Sequence, residues 1–198
     1  SDGVFAIAMT LLVLEIRVPI LSGGSTNADL GHGLVIMWPK FLSYAFSFVT
    51  LGVYWVAHHL HFVTIRRADR MLLWINLLYL LCIGFVPFST ALIGEHYQYQ
   101  WAVVIYGVNL TVIALVLLLH WWYATQEHRL VDPDIDPALV RSVTRVILVG
   151  PLVYLIAIGC SFLSTVVSVI LYALVTLFYI LPRGIHLHLR AERIVQTR

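Results

Sequence analysis

Long apolar stretches alternate with short polar segments along the whole chain of 198 residues. A helix needs about 20 apolar residues to cross the hydrocarbon core of a bilayer, and most of these stretches approach or exceed that length. The pattern predicts an all-α integral membrane protein in which residues 1–198 form one transmembrane domain. Six membrane-spanning helices are predicted, at about residues 1–18, 37–65, 70–93, 99–124, 138–162 and 165–183.

Polar or helix-breaking residues separate these stretches. Residues 22–33 are polar and rich in glycine, and they predict a loop that cannot span a membrane. Three further breaks contain charged, polar or proline residues, at 66–70, 95–100 and 131–137. The last boundary, at 163–168, is marked only by serine and threonine, so five spans remain the alternative.

The composition excludes an ordinary soluble domain. Hydrophobic residues make up 61% of the chain and charged residues 11%, whereas soluble domains contain about half apolar and about a quarter charged residues. The net charge of +2 is small and the arginines are scattered between apolar runs, which argues against a nucleic-acid partner. Cys82 and Cys160 lie inside apolar runs without close spacing, so the sequence predicts neither a disulfide framework nor a zinc site.

The arginines occur in alternate connections. Cytosolic loops retain an excess of Lys and Arg, so these connections are predicted to be cytosolic, with both termini on that side and an even number of spans. The arginine-containing segments are 66–70, 129–145 and 183–198. The opposite connections contain no Lys or Arg, at 18–36, at 92–100 and near 163.

The first helix contains a regular apolar stripe. At 100° per residue, Gly3, Ile7, Leu11 and Leu14 fall within a sector about 80° wide, and Thr10 lies at its edge. From composition alone, contact with lipid or with another helix explains such a stripe.

Polar side chains gather near the predicted cytosolic ends of the first two helices. Asp2 is costly in a membrane span unless it is paired or reaches the interface, although a helix N-terminus favours it. Three histidines, His58, His59 and His61, suggest either a metal site or interfacial hydrogen bonding, including pairing with Asp2. Because no carboxylate or thiol lies beside them at ligand spacing, we favour hydrogen bonding and predict no bound metal. His120 and His128 also lie near predicted helix ends, where amphipathic rings commonly sit.

Polar residues within the spans are few. Asn76 and Asn109 are predicted to hydrogen-bond neighbouring helices. No Asp, Glu or Lys falls in the middle of a predicted span, which weakens a proton-coupled pump or transporter. The common hydrolase, zinc-protease and phosphate-loop motifs are absent, so no enzymatic activity is predicted.

The opening segment, Ser-Asp-Gly-Val-Phe-Ala-Ile-Ala-Met-Thr-Leu-Leu-Val-Leu-Glu-Ile, resembles the first-helix signature of the transmembrane protein 175 family of potassium channels. That signature begins Arg-x-x-x-Phe-Ser-Asp, of which Ser1 and Asp2 are present here. Six helices, cytosolic termini and the run Trp-x-x-His-His at residues 55–59 are similar to the bacterial branch. The resemblance covers most of the chain, and its specificity rests on residues 1–16.

The resemblance implies a potassium channel in a bacterial plasma membrane, formed by a homotetramer whose first helices surround one pore. It implies that Ile7 forms the narrowest ring, with Leu11 and Leu14 as further hydrophobic layers and Thr10 as a source of hydroxyls. Ser1 and Asp2 are expected to fix the cytosolic end of this helix through His58, His59, His61 or Asn76. Potassium ions, membrane lipids and further copies of the chain are the expected partners, and no cofactor is expected.

Two other classes of protein remain open on the residues alone. A secondary transporter has a binding site near the bilayer midplane, often at broken helices, and Pro87 and Pro151 are possible breaks. A membrane enzyme or metal carrier would use the cluster of His58, His59 and His61. The Thr-Val-Gly-Tyr-Gly filter of ordinary potassium channels is absent, so selectivity requires another device.

Overall fold

A computed structural model describes residues 1–20 and 26–181 of the chain. These residues form a bundle of α-helices, and their one β-type pairing is an isolated bridge between Ile65 and Val131. The helices are α1 (Asp2–Leu14), α2 (Asn27–Ile36), α3 (Trp38–Thr64), α4 (Arg70–Gly84), α5 (Val86–His96), α6 (Gln100–Thr125), α7 (Pro137–Cys160) and α8 (Thr165–Ile180).

Four helical segments of the described chain are long and apolar enough to cross a membrane. They are α3, the consecutive pair α4 and α5, α6 with the turn that follows it, and α7. The two remaining apolar helices are shorter, with 13 residues in α1 and 16 in α8. An all-helical membrane protein is therefore confirmed, with four candidate spans and two shorter apolar helices at the predicted positions.

The predicted loop at 22–33 is partly helical. Residues 21–25 lie outside the described chain, but α2 begins directly after Thr26. Thr26 and Asp29 form a reciprocal capping box, in which the Thr26 backbone N–H donates to Asp29 Oδ2 at 2.7 Å. This local stabilisation outweighs the glycines, because a capping box satisfies two of the otherwise unpaired N–H groups of the first turn. With ten residues, α2 is too short to span a membrane.

The third predicted span, 70–93, is two helices rather than one. Helix α4 ends at Gly84, and α5 begins at Val86 with Pro87 in its first turn. Proline has no N–H to donate to the carbonyl four residues earlier, and its ring crowds that carbonyl. The break is therefore encoded by Pro87. Pro151, in contrast, lies inside the continuous helix α7.

The two described arginine-rich connections lie together at one end of the bundle. The Arg66 N–H donates to Leu130 O at 2.8 Å, and the Arg66 guanidinium pairs with Asp132 at 2.8 Å. At the opposite end, Lys40 pairs with Glu95 at 2.6 Å. The alternation of ends that the sequence predicted is thus present in the structure, whereas the arginines at 183–198 lie outside the described residues.

Candidate functional site

Helix α1 has two distinct faces. Phe5, Ala8 and Leu12 are each 1% exposed and pack in the main hydrophobic core, where α1 contacts α3, α4 and α5. The opposite face is exposed and carries the four side chains predicted to line a pore, Ile7, Thr10, Leu11 and Leu14. A single chain therefore presents this stripe on its surface and does not enclose it.

Among the three hydrophobic residues of this face, Ile7 and Leu14 are the most exposed, with exposed fractions of 60% and 69%. Thr10 donates its hydroxyl hydrogen to the Ile7 carbonyl at 2.9 Å, within the same helix. Donating this hydrogen uses neither lone pair of the Thr10 oxygen, so the oxygen can still accept hydrogen bonds or contact a cation. The stripe is thus apolar apart from the Thr10 oxygen, an acceptor that lies one helical turn after Ile7.

The N-terminal end of α1 is attached to α3 and α4 by hydrogen bonds. Trp55 Nε1–H donates to Asp2 Oδ1 at 2.9 Å, and Asn76 Nδ2–H donates to Ser1 Oγ at 3.3 Å. Asn76 Oδ1 in turn lies 2.8 Å from His58 Nε2. An amide oxygen accepts only, so His58 is the donor and carries its proton on Nε2.

The structure brings part of the predicted set together at this end, and the role of these residues in fixing α1 stays a prediction. Ser1 and Asn76 are brought together, with His58 behind Asn76, as the sequence suggested. The carboxylate of Asp2, however, pairs with Trp55 and not with a histidine. Sequence reasoning missed Trp55, although its position three residues before His58 places both on one face of α3.

The remaining histidines have different surroundings. His59 is exposed and stacks on Trp55 with ring centroids 5.6 Å apart. His61 is buried and stacks on His120 at 5.8 Å with nearly parallel rings. His120 is 1% exposed and lies inside the subunit near the C-terminal end of α6. Stacked rings do not direct their nitrogens at a common point, and within the described residues no three His, Cys, Asp or Glu side chains converge on a metal position.

A water-sized cavity of about 10 Å³ lies behind the second half of α1, on the side away from the exposed stripe. It separates the end of α1 from α3 and α5, and its wall is mixed in polarity. Its lining includes Leu12, Glu15, Lys40, Tyr44 and Thr90.

Comparison with known proteins gives a consistent picture. Residues 1–87 match the model of the family described as endosomal/lysosomal potassium channel TMEM175. A protein of Streptomyces collinus named as a potassium channel is 35% identical over 183 residues, which cover 90% of this chain and 87% of that protein. One of Chamaesiphon minutus, also named as a potassium channel, is 40% identical over 172 residues, covering 85% and 84%.

A solved structure agrees with the fold. The crystal structure of a lysosomal potassium-selective channel TMEM175 homolog from Chamaesiphon minutus superposes with a TM-score of 0.79 and 33% identity, covering 96% of this chain and 93% of that one. The relatives are ion channels and not enzymes. The chain therefore belongs to the TMEM175 family of ion channels.

Proposed function

We propose that the chain is a subunit of a potassium-selective channel whose pore is lined by the exposed face of α1. The observation that carries the proposal is the contrast between the two faces of this helix. Phe5, Ala8 and Leu12 are buried in the subunit, while Ile7, Thr10, Leu11 and Leu14 remain exposed. In a closed ring of subunits this exposed face surrounds the axis, and each of its residues becomes a ring of identical side chains.

Rings of Ile7, Leu11 and Leu14 supply a gate without any charged group. A narrow apolar constriction loses its water column, and ions do not pass without water or an equivalent set of ligands. Small changes in the radius of the constriction therefore switch conduction on and off. The Thr10 oxygens supply polar contacts at the level of these rings.

Four subunits complete this pore. In each chain the face of α1 that carries Ile7, Leu11 and Leu14 is exposed and encloses nothing, so conduction along it requires several copies arranged around a common axis. We take the number as four, which is what the family resemblance implies. The remaining exposed apolar surface of the outer helices contacts lipid, which matches its hydrophobic character.

Each subunit spans the membrane six times, with α1 and α8 completing the four longer segments. The pairing of the connections around Ile65 and Val131 places two arginine-containing loops at one end, which we assign to the cytosol. Both termini lie on this side, in a bacterial plasma membrane.

A secondary transporter is the second candidate, because transporters often contain a helix broken near the midplane and α4 and α5 form such a pair. In transporters the break lines a substrate cavity. In this chain the space around the break is filled by protein, since Val86, Ser89 and Thr90 are buried in the bundle. The structure of the break therefore favours the channel.

Potassium flux in liposomes tests the proposal directly. Purified protein is reconstituted with potassium inside, and the current is measured with sodium and then with potassium outside. A channel gives current that follows the potassium gradient alone and a reversal potential near that of potassium. Current that requires a second, coupled ion gradient would instead identify a transporter, and the absence of flux would contradict the channel.

A further inference from the structure

The break between α4 and α5 is enclosed by hydrogen bonds from two other helices. Asn109 Nδ2–H on α6 donates to Ser89 Oγ at 3.0 Å, and the Ser89 hydroxyl donates to the Val86 carbonyl at 3.1 Å. The Val86 carbonyl is part of the first turn of α5, next to Pro87. Asn109 therefore reaches the break itself through one intermediate hydroxyl.

The next residue of α5, Thr90, makes a hydrogen bond with α3. Thr90 Oγ1–H donates to Ser47 Oγ on α3 at 2.8 Å, and Ser47 Oγ lies 3.0 Å from the Tyr106 hydroxyl on α6. All of these side chains are buried. We call Ser47, Ser89, Thr90 and Asn109 the polar clasp.

The polar clasp fixes a helix that lies behind α1. Helix α5 contacts α1, and Thr90 of the clasp lines the cavity behind Leu12 and Glu15. This cavity is only water-sized, at about 10 Å³, so the second half of α1 can move away from the stripe side only if α5 yields. A proline-containing break is a common point of bending, because the backbone hydrogen bond across it is missing.

We infer that the residues of the polar clasp are positioning residues that set the open probability of the pore by holding α5 against the back of α1. This inference rests on the proposed channel function. Loosening the clasp allows α5 and the second half of α1 to retreat together, so that the rings of Leu11 and Leu14 widen. The clasp lies behind α1 and contributes no atom to its exposed face, so it acts on opening and leaves selectivity unchanged.

Threonine to valine substitutions provide a matched test. Thr90→Val preserves shape and removes the hydrogen bond between α5 and α3. Thr111→Val makes the same chemical change at another buried site, where the hydroxyl donates only to the Gly107 carbonyl within α6, at 2.7 Å. Ser89→Ala is a second clasp variant, which removes the hydroxyl between Asn109 and the break.

Single-channel recording in planar bilayers gives the readout. A lost hydrogen bond shifts a two-state equilibrium by about 2-fold to 10-fold, and we expect Thr90→Val and Ser89→Ala to raise the ratio of open to closed time by this factor. Unitary conductance and reversal potential stay at their wild-type values, and Thr111→Val behaves as wild type. Amide hydrogen exchange in residues 86–96 accelerates in the clasp variants and not in Thr111→Val.

The outcomes separate the two proposals. If the wild type conducts potassium but the clasp variants leave the open probability unchanged or lower it, the inference about the clasp is overturned and the channel stands. The same holds if Thr111→Val raises the open probability as much as Thr90→Val does. If the wild type carries no potassium current, the channel proposal fails, and the inference fails with it.

Discussion

Ile7 is a large apolar side chain that stands exposed on a helix whose other face is buried. If it faces lipid, Ile7→Asn places an amide in hydrocarbon, which weakens folding and creates no conductance. If it rings a pore, the same change adds polar groups where loss of water limits passage. We expect the current to rise and sodium to be admitted relatively better, as measured by currents and reversal potentials of the assembled variant in bilayers.

Two further substitutions on α1 serve as comparisons for Ile7→Asn. Leu11→Asn lies on the same face and should act in the same direction but more weakly. Met9 points to the inside of the subunit, with its methyl group close to Gly52 of α3. Met9→Asn should therefore lower thermal stability without adding current. Wild-type currents and reversal potentials for a correctly assembled Ile7→Asn channel would remove Ile7 from the pore.

Asp69 stabilises the start of α4 in its charged form. Its carboxylate accepts the Leu72 N–H at 2.8 Å and the Tyr123 hydroxyl hydrogen at 2.7 Å. The hydrogen bond from the Leu72 backbone, followed by that from Tyr123, holds the pKa of Asp69 below its ordinary value of 3.8. A carboxylate whose pKa is lowered by folding contributes stability above its ordinary pKa, and this contribution is lost as the pH falls through the folded value.

Asp69→Asn tests this contribution, because asparagine also caps a helix but carries no charge. We expect the variant to unfold at a lower temperature than the wild type near neutral pH, with the difference shrinking as the pH is lowered below about 4. The exposed Asp134 provides the control, since its carboxylate caps no helix within the described chain. A difference between wild type and Asp69→Asn that is the same at all pH values would contradict the role of the charge.

At the scale of the elements, the apolar stretches were predictable because hydropathy and polar breaks are properties of the sequence, whereas α2 was predicted as a loop and α4 with α5 as one span. The stripe of α1 was predictable for the same reason, since its periodicity is internal to one helix. Contacts between the helices were not predictable from the sequence. Nothing in the sequence shows that Gly107 leaves room for Tyr172, whose hydroxyl would overlap a Cβ there. The pairing of Asp2 with Trp55 likewise depends on how α1 meets α3.

The attachment of α1 to α3 gives a prediction about stability. Trp55→Phe keeps an aromatic ring but removes the donor to Asp2, and Asp2→Ala removes the acceptor. Each change should lower the free energy of unfolding by about 0.5–1.5 kcal/mol, and the double variant should lose less than the sum because both act on one bond. The measurement is thermal unfolding of the purified assembly, with reversal potentials recorded in parallel.

Trp74 is the control for Trp55→Phe, because its side chain is exposed on α4 and its indole makes no hydrogen bond among the described residues. Trp74→Phe should leave unfolding almost unchanged. A stable assembly of Asp2→Ala with altered ion preference would place Asp2 in the permeation path and contradict its structural role.

In the whole molecule, α1 is one of several helices that bury one face in the bundle and expose the other. Helix α6 is buried on most sides and lies at the centre of the bundle, while α1 remains at its surface. The two ends of the bundle are each closed by ion pairs, between Arg66 and Asp132 at one end and between Lys40 and Glu95 at the other. The exposed face of α1 is the surface that the proposed axial pore requires.

If four subunits form one pore, the mass of the assembly should be close to four times the 22.4 kDa chain. Mixing two kinds of subunit tests the shared axial pore more sharply than this mass does. When wild-type and Ile7→Asn chains are expressed together, a single axial ring contains anything from no variant copy to four variant copies. Because every copy contributes to the same constriction, single channels should show a graded series of conductances between the two pure forms. Their frequencies should follow the mixing ratio. If each subunit instead contained its own pore, only the two pure conductances would appear, in proportion to the two chains. A record with these two levels alone would reject the axial pore while leaving the membership of the family intact.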